Sequence, residues 1–101
     1  MNIKKKMDGD QLTVIIGGRI DTVTAPEVEA FINENLDGVN NLVLDFKDVN
    51  YVSSAGLRVL LSLHKKMMVK GEMKLINVNE AVSDVFEVTG FDEILSYEMG
   101  E

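Results

Sequence analysis

Apolar residues along this chain switch repeatedly between a two-residue and a three-to-four-residue spacing, and that alternation restricts the fold more than any other feature. Asn2–Met7 reads as an edge strand loaded with lysines at 4, 5 and 6, and Gln11–Ile16 as a β-branched strand. Asp8-Gly9 between them is a turn signal, so the pair predicts a hairpin that Gly17-Gly18 is expected to end. Thr24-Ala25-Pro26-Glu27 has the form of a helix start: threonine can cap, proline suits the first turn, and Glu27 can complete a capping box. Val28, Phe31, Ile32 and Leu36 fall on one helical face, which Asp37-Gly38 stops.

Leu42–Phe46 predicts a short strand. Leu57 to about Val69 predicts a helix whose buried face holds Leu57, Leu60, Leu61 and Met68, widened by Val59, Leu63 and Met67. Arg58, Ser62, Lys65 and Lys66 mark its wet side, and Lys70-Gly71 closes it. Met73–Val78 alternates as a strand. Asn79 then caps a helix carrying Ala81, Val82, Val85 and Phe86, closed by Gly90. Phe91, Ile94 and Leu95 pack a last turn, and Ser96–Met99 adds a short edge strand. Strands alternating with helices imply mainly parallel pairing, with the first hairpin making the sheet mixed: an α/β protein.

With 101 residues, residues 1–101 are expected to form one domain around one core. A net charge of −7 argues against nucleic acid, whose phosphates demand a basic footprint. No cysteine is present, which excludes thiol chemistry and Cys-ligated metal. The apolar runs are too short to enter a bilayer as a span, and no apolar core follows the early lysines as in a signal peptide. A cytoplasmic location is expected.

The stretch Asn50-Tyr-Val-Ser-Ser-Ala-Gly-Leu-Arg58, between strand and helix patterns, carries the candidate chemistry. A serine nucleophile elbow needs glycine two places earlier, and Val52 stands there relative to Ser54. The single histidine, His64, lies about 15 Å further along the same helix, too far to serve as base. It reads as a core-edge residue. No GxxxxGK[ST] or GxGxxG accompanies the glycines, and Asp21, Asp45 and Asp48 lack a known metal-ligand spacing, so solvated or capping carboxylates are expected. No catalytic residue, cofactor or metal is expected. Helix capping accounts for one serine. Placement after a strand and before a helix, where α/β proteins put their sites, leaves a functional role open for the other, and Gly56 beside them would ease a partner's approach.

"VSSAGLRVLL" resembles the phosphorylation loop of STAS domains, the sulphate-transporter and anti-sigma-factor-antagonist family. "GGRIDTVTAPEVEAF" is similar to that family's entry to its first helix, "LVLDFKDVNYV" to the strand before the loop, and "GEMKLINVNEAVSDVFEVTGFDEIL" to its distal part. The resemblance implies a STAS fold: a mixed, mostly parallel sheet of about four to five strands with three or four helices. It further implies an anti-sigma factor antagonist that binds a serine-kinase anti-sigma factor when unphosphorylated, with a separate serine phosphatase resetting it. Against the family's Asp-Ser-(Ser/Thr/Ala)-Gly-Leu-Gly pattern, Ser54 takes the acceptor position, Ser53 the aspartate position and Arg58 the second glycine. Ser53 thereby becomes a second candidate acceptor. Asp21, Thr22, Ser53, Ser54, Gly56, Leu57 and Arg58 are the expected partner surface. Two other readings are a non-switching STAS adaptor subunit of a membrane lipid-transport complex and a weak nucleotide-binding module.

Overall fold

The computed structural model describes residues 1–100. Its order is β1 (Asn2–Asp8), β2 (Gln11–Ile20), α1 (Ala25–Asn33), β3 (Asn41–Val52), α2 (Ser54–Lys70), β4 (Glu72–Val78), α3 (Glu80–Thr89), a 3-10 turn (Phe91–Glu93) and β5 (Tyr97–Met99). The five strands form one sheet in chain order, β1 antiparallel to β2 and every later pair parallel. Each parallel step moves the same way across the sheet. Right-handed crossovers therefore put all three helices over one face.

Register and burial agree on which face that is. Val14, Leu44 and Leu75 lie in one row across β2, β3 and β4, and Leu12, Leu42 and Met73 in another; all six are buried. Leu60, Leu63 and Met67 of α2, with Val82 and Phe86 of α3, join them in one core. Tyr97, beside Leu75, packs edge-on against Phe86 with ring centroids 5.1 Å apart. The opposite rows, Thr13–Val43–Lys74 and Ile15–Asp45–Ile76, are only half-buried, so that face of the sheet has no helix over it.

Several expectations need correction. Gly17-Gly18 does not end β2. The strand runs on to Ile20 through register shifts against β3, and Gly18 takes a φ of 105°, open to glycine at little cost. Those shifts also explain why β3 read as ending at Phe46. Extra residues on β3 break the simple alternation, and burial resumes out of phase at Val49 and Val52. On α2 the buried stripe is Leu57, Val59, Leu60, Leu63 and Met67. Leu61 is half-buried and Met68 is 70% exposed, because the helix is turned by about one residue from the expected face. Leu36 is buried beyond the end of α1 rather than on it, and Ala81 and Ile94 face solvent.

Thr24 is the remaining correction. It has helical backbone angles, and its side chain makes no capping bond to α1, so no capping box forms with Glu27. The Asp21 carboxylate takes that place, accepting from the Val23 and Thr24 amides at 3.0 and 3.1 Å. The Thr24 hydroxyl instead donates to the Arg19 carbonyl at 2.6 Å and accepts from the Asp21 amide at 2.9 Å, locking the turn between β2 and α1. Elsewhere the caps follow expectation. Asn79 accepts from the Val82 amide at 2.9 Å, and Gly90 closes α3 in the left-handed region.

Candidate functional site: the turn from β3 into α2

Ile20 and Val52 are partners at the ends of two adjacent parallel strands, so the turns that follow them lie side by side. One turn carries Asp21, Thr22 and Val23; the other carries Ser53 and Ser54. The Ser53 amide donates to the Ile20 carbonyl at 2.9 Å and ties the two together. This is the carboxyl end of the sheet, where α/β folds gather functional loops.

The two serines have different surroundings. Ser53 is the N-cap of α2, extended at φ −87° and ψ 177°, half-buried, with its Oγ accepting from the Gly56 amide at 3.3 Å. Its carbonyl accepts the Leu57 amide at 2.9 Å, the first turn of the helix. Ser54 is the first helical residue and is exposed. Among the described residues its hydroxyl has no hydrogen-bond partner. Capping thus occupies Ser53 and leaves the Ser54 hydroxyl unengaged.

Gly56 and Leu57 lie beneath this surface rather than on it, since both are buried. A β-carbon at Gly56 would sit 2.9 Å from the Ile20 carbonyl oxygen, from Ile20 Cγ2 and from Val52 Cγ1. Glycine at this position lets α2 start directly against the strand ends. Thr22 and Arg58 are exposed, and Asp21 is half-buried.

The Asp21 carboxyl is held below the usual carboxylate range, first by the Thr24 amide. Partial burial opposes this, while the Val23 amide, the Thr24 hydroxyl and the Arg19 guanidinium reinforce it. Asp21 is therefore ionised and structurally engaged. Arg19 lies 3.7 Å from Asp21 Oδ2 and also stacks 4.1 Å from the centroid of the Tyr51 ring. Arg19, Tyr51 and Val23, the last 84% exposed, extend the surface beyond the residues expected from sequence. Arg19 and Tyr51 are register partners, a pairing visible only once β2 and β3 are known to run past their expected ends.

The other candidate groups are dispersed. The Asp45 carboxylate accepts from the Lys47 amide and the Asn77 side chain, both at 3.0 Å. Asp48 lies opposite Gly17, at the β2–β3 bulge. Among the described residues no three His, Asp or Glu side chains gather as a metal site. His64 is half-buried and lines a shallow groove of about 430 Å³ with Met67, Met68 and Met73. Among the described residues no helix is long and apolar enough to cross a membrane.

A family model described as the STAS domain matches residues 2–100. The chain is 38% identical over 88 residues to BtrV of Bordetella bronchiseptica, covering 85% of this chain and 75% of that one. It is 32% identical over 98 residues to the anti-sigma-B factor antagonist of Bacillus subtilis, covering 94% of this chain and 88% of that one. The unphosphorylated anti-sigma factor antagonist SpoIIAA superposes with a TM-score of 0.81 at 18% identity, over 97% of this chain and 89% of its own. The phosphorylated form of this Bacillus cell-fate determinant gives 0.73 at 17% identity, over 97% and 92%. At those identities the likeness to SpoIIAA is one of fold.

Proposed function

We propose that this chain, which belongs to the STAS domain family, is an anti-sigma factor antagonist switched by phosphate on Ser54. Unmodified, it binds a serine-kinase anti-sigma factor; phosphorylated, it lets that partner go; a serine phosphatase restores it. It acts as a kinase substrate and not as an enzyme, in the cytoplasm. The observation that carries this reading is the division of labour in the turn: Ser53 holds the helix cap while the Ser54 hydroxyl stands exposed and unengaged. Oγ of Ser54 would attack the γ-phosphorus of ATP as the bond from that phosphorus to the β–γ bridging oxygen breaks and ADP leaves, and its proton would pass to a base on the kinase. Nothing inside the fold need be undone for that to happen.

Phosphate adds about 1.5 to 2 negative charges and three acceptor oxygens at this turn. A partner surface fitted to a neutral hydroxyl would then face a large, hydrated dianion. A coupling of about 2–3 kcal/mol corresponds to a roughly 30- to 150-fold loss of affinity.

The test incubates wild type, Ser53→Ala and Ser54→Ala with the anti-sigma kinase and ATP, followed by mapping of the phosphate by mass spectrometry. Ser54→Ala should bind the kinase persistently and stay unmodified. Ser53→Ala should still be modified while losing about 0.5–2 kcal/mol of stability with its cap. Modification that survives in Ser54→Ala and vanishes in Ser53→Ala would reverse the assignment. Kinase binding with no modification of any variant would favour a non-switching adaptor.

A further inference from the structure

We infer that Arg58 is the phosphate receptor of this chain's own switch, its guanidinium pairing with phosphoserine at position 54. The inference rests on the reading of Ser54 as the modified residue, and it assigns what holds the phosphate once it is there.

Ser54 and Arg58 are four residues apart on α2, both exposed. Residues at that spacing are neighbours on a helix surface, and a helical side chain leans toward the helix N-terminus. An arginine at 58 can therefore reach back over the first turn, where Ser54 sits. An anion four residues before a cation is also the more favourable order for such a pair. A dianionic phosphate and a planar guanidinium can meet through two parallel hydrogen bonds, which strengthens the match.

Competition for either partner is slight. The first turn of α2 contains no acidic residue. Among the described residues Arg58 makes no ion pair and no side-chain hydrogen bond, whereas nearby Arg19 is already engaged by Asp21 and the Tyr51 ring. Arg58 is thus the uncommitted cation at this turn. Phosphate at Ser53 would be one residue further back and off the Arg58 face of the helix, so the pairing selects Ser54. The same geometry gives Arg58 two states, free in the unmodified chain and occupied in the phosphorylated one.

The experiment installs phosphoserine at 54 during translation, by amber suppression, in the full chain, so that no kinase is needed. Phosphorus-31 NMR then follows the second ionisation of the phosphate at low salt in wild type, Arg58→Gln, Arg58→Lys and Arg19→Gln. Pairing with a cation favours the dianion, so Arg58→Gln should raise the midpoint by about half a pH unit, the scale of an exposed helical pair to a doubly charged group. Arg58→Lys should fall between, and Arg19→Gln should match wild type. Phosphoserine at 53 should titrate alike in the wild-type background and in Arg58→Gln.

A midpoint unchanged in Arg58→Gln overturns the inference. So does a shift produced by Arg19→Gln instead, or an equal shift for phosphoserine at 53. The two proposals separate cleanly. A shift in Arg58→Gln with no kinase modifying Ser54 keeps the clamp and removes the switch. Modification by a kinase with no shift keeps the switch and removes the clamp.

Discussion

Replacing Gly56 by alanine tests how α2 is seated, and two opposing effects set the outcome. In a helix exposed to solvent the change would stabilise the protein by up to about 1 kcal/mol, because alanine is the better helix former. Here the new methyl group would meet three atoms at 2.9 Å, where ordinary contact begins near 3.4 Å. The helix start must therefore retreat by about half an ångström, the difference between those two distances. One of the three atoms is the Ile20 carbonyl oxygen, which also accepts the Ser53 amide at 2.9 Å, so the retreat strains the bond that joins the two turns. The Ser53 cap, already 3.3 Å from the Gly56 amide, lengthens with it. Overpacking of this kind costs about 1–3 kcal/mol, and a weakened cap adds to it. Net destabilisation of about 1–2 kcal/mol is expected, or a fall in Tm of about 5–15 °C for a domain of this size. Thermal and urea unfolding of Gly56→Ala against wild type measure it. A variant as stable as wild type, or more so, would refute the close seating of α2 on Ile20 and Val52.

The corrected face of α2 makes a paired prediction: Leu60→Ala should lose about 2–5 kcal/mol in urea unfolding, whereas Met68→Ala should change stability by less than about 0.5 kcal/mol. Comparable losses in both would restore the expected face and undo the observed one. Asp21 supplies a pH signature. Its folded pKa lies below the unfolded value, so its contribution is complete above the unfolded pKa, near 3.8, and disappears as pH falls through the lower folded value. The stability gap between wild type and Asp21→Asn should be steady from about pH 8 to pH 5 and narrow below about pH 4. A gap that persists undiminished at pH 2 would show that the charge of Asp21 contributes nothing to the turn.

Element order and sheet type were legible in the sequence because each helix and most strands carry a regular apolar repeat. The second halves of β2 and β3 carry no such repeat, and the reason lies between strands. Bulges shift the register at Gly17-Gly18 and after Asp45, and a shift in pairing leaves no regular period in either strand alone. Missing those segments hid Arg19 and Tyr51, whose pairing exists only because both strands run on. The choice of Leu63 and Met67 over Leu61 and Met68 at the centre of the α2 stripe has a related cause. Leu57, Leu60, Leu61 and Met68 and the observed Leu57, Leu60, Leu63 and Met67 are both acceptable helical stripes, and only the sheet beneath chooses between them. Asp21 outcompeting Thr24 was equally invisible, since both are good capping residues. The Ser53 cap was legible, because capping chemistry is local.

That locality bears on how such a switch can work. Ligand or phosphate can move an equilibrium only by what it gains or loses differently in the two states. At Ser54 the modification takes no hydrogen bond from the fold and touches no core atom, while the buried seat of α2, from Gly56 inward, stays as it was. For the proposed switch, the free energy would then come from the surface that a partner sees: a hydroxyl replaced by a dianion and, on the inference above, a guanidinium at 58 that is free before and engaged after. A rigid seat makes that change sharper, because a loose turn could swing the phosphate away from the contact and blunt its effect. On this view Gly56 and Ser53 serve the switch by keeping the turn still. Phosphoserine at 54 should leave the amide chemical shifts of the core strands β2 and β4 unchanged while moving those of residues 53–58, and shifts spreading through the sheet would point to a conformational relay instead.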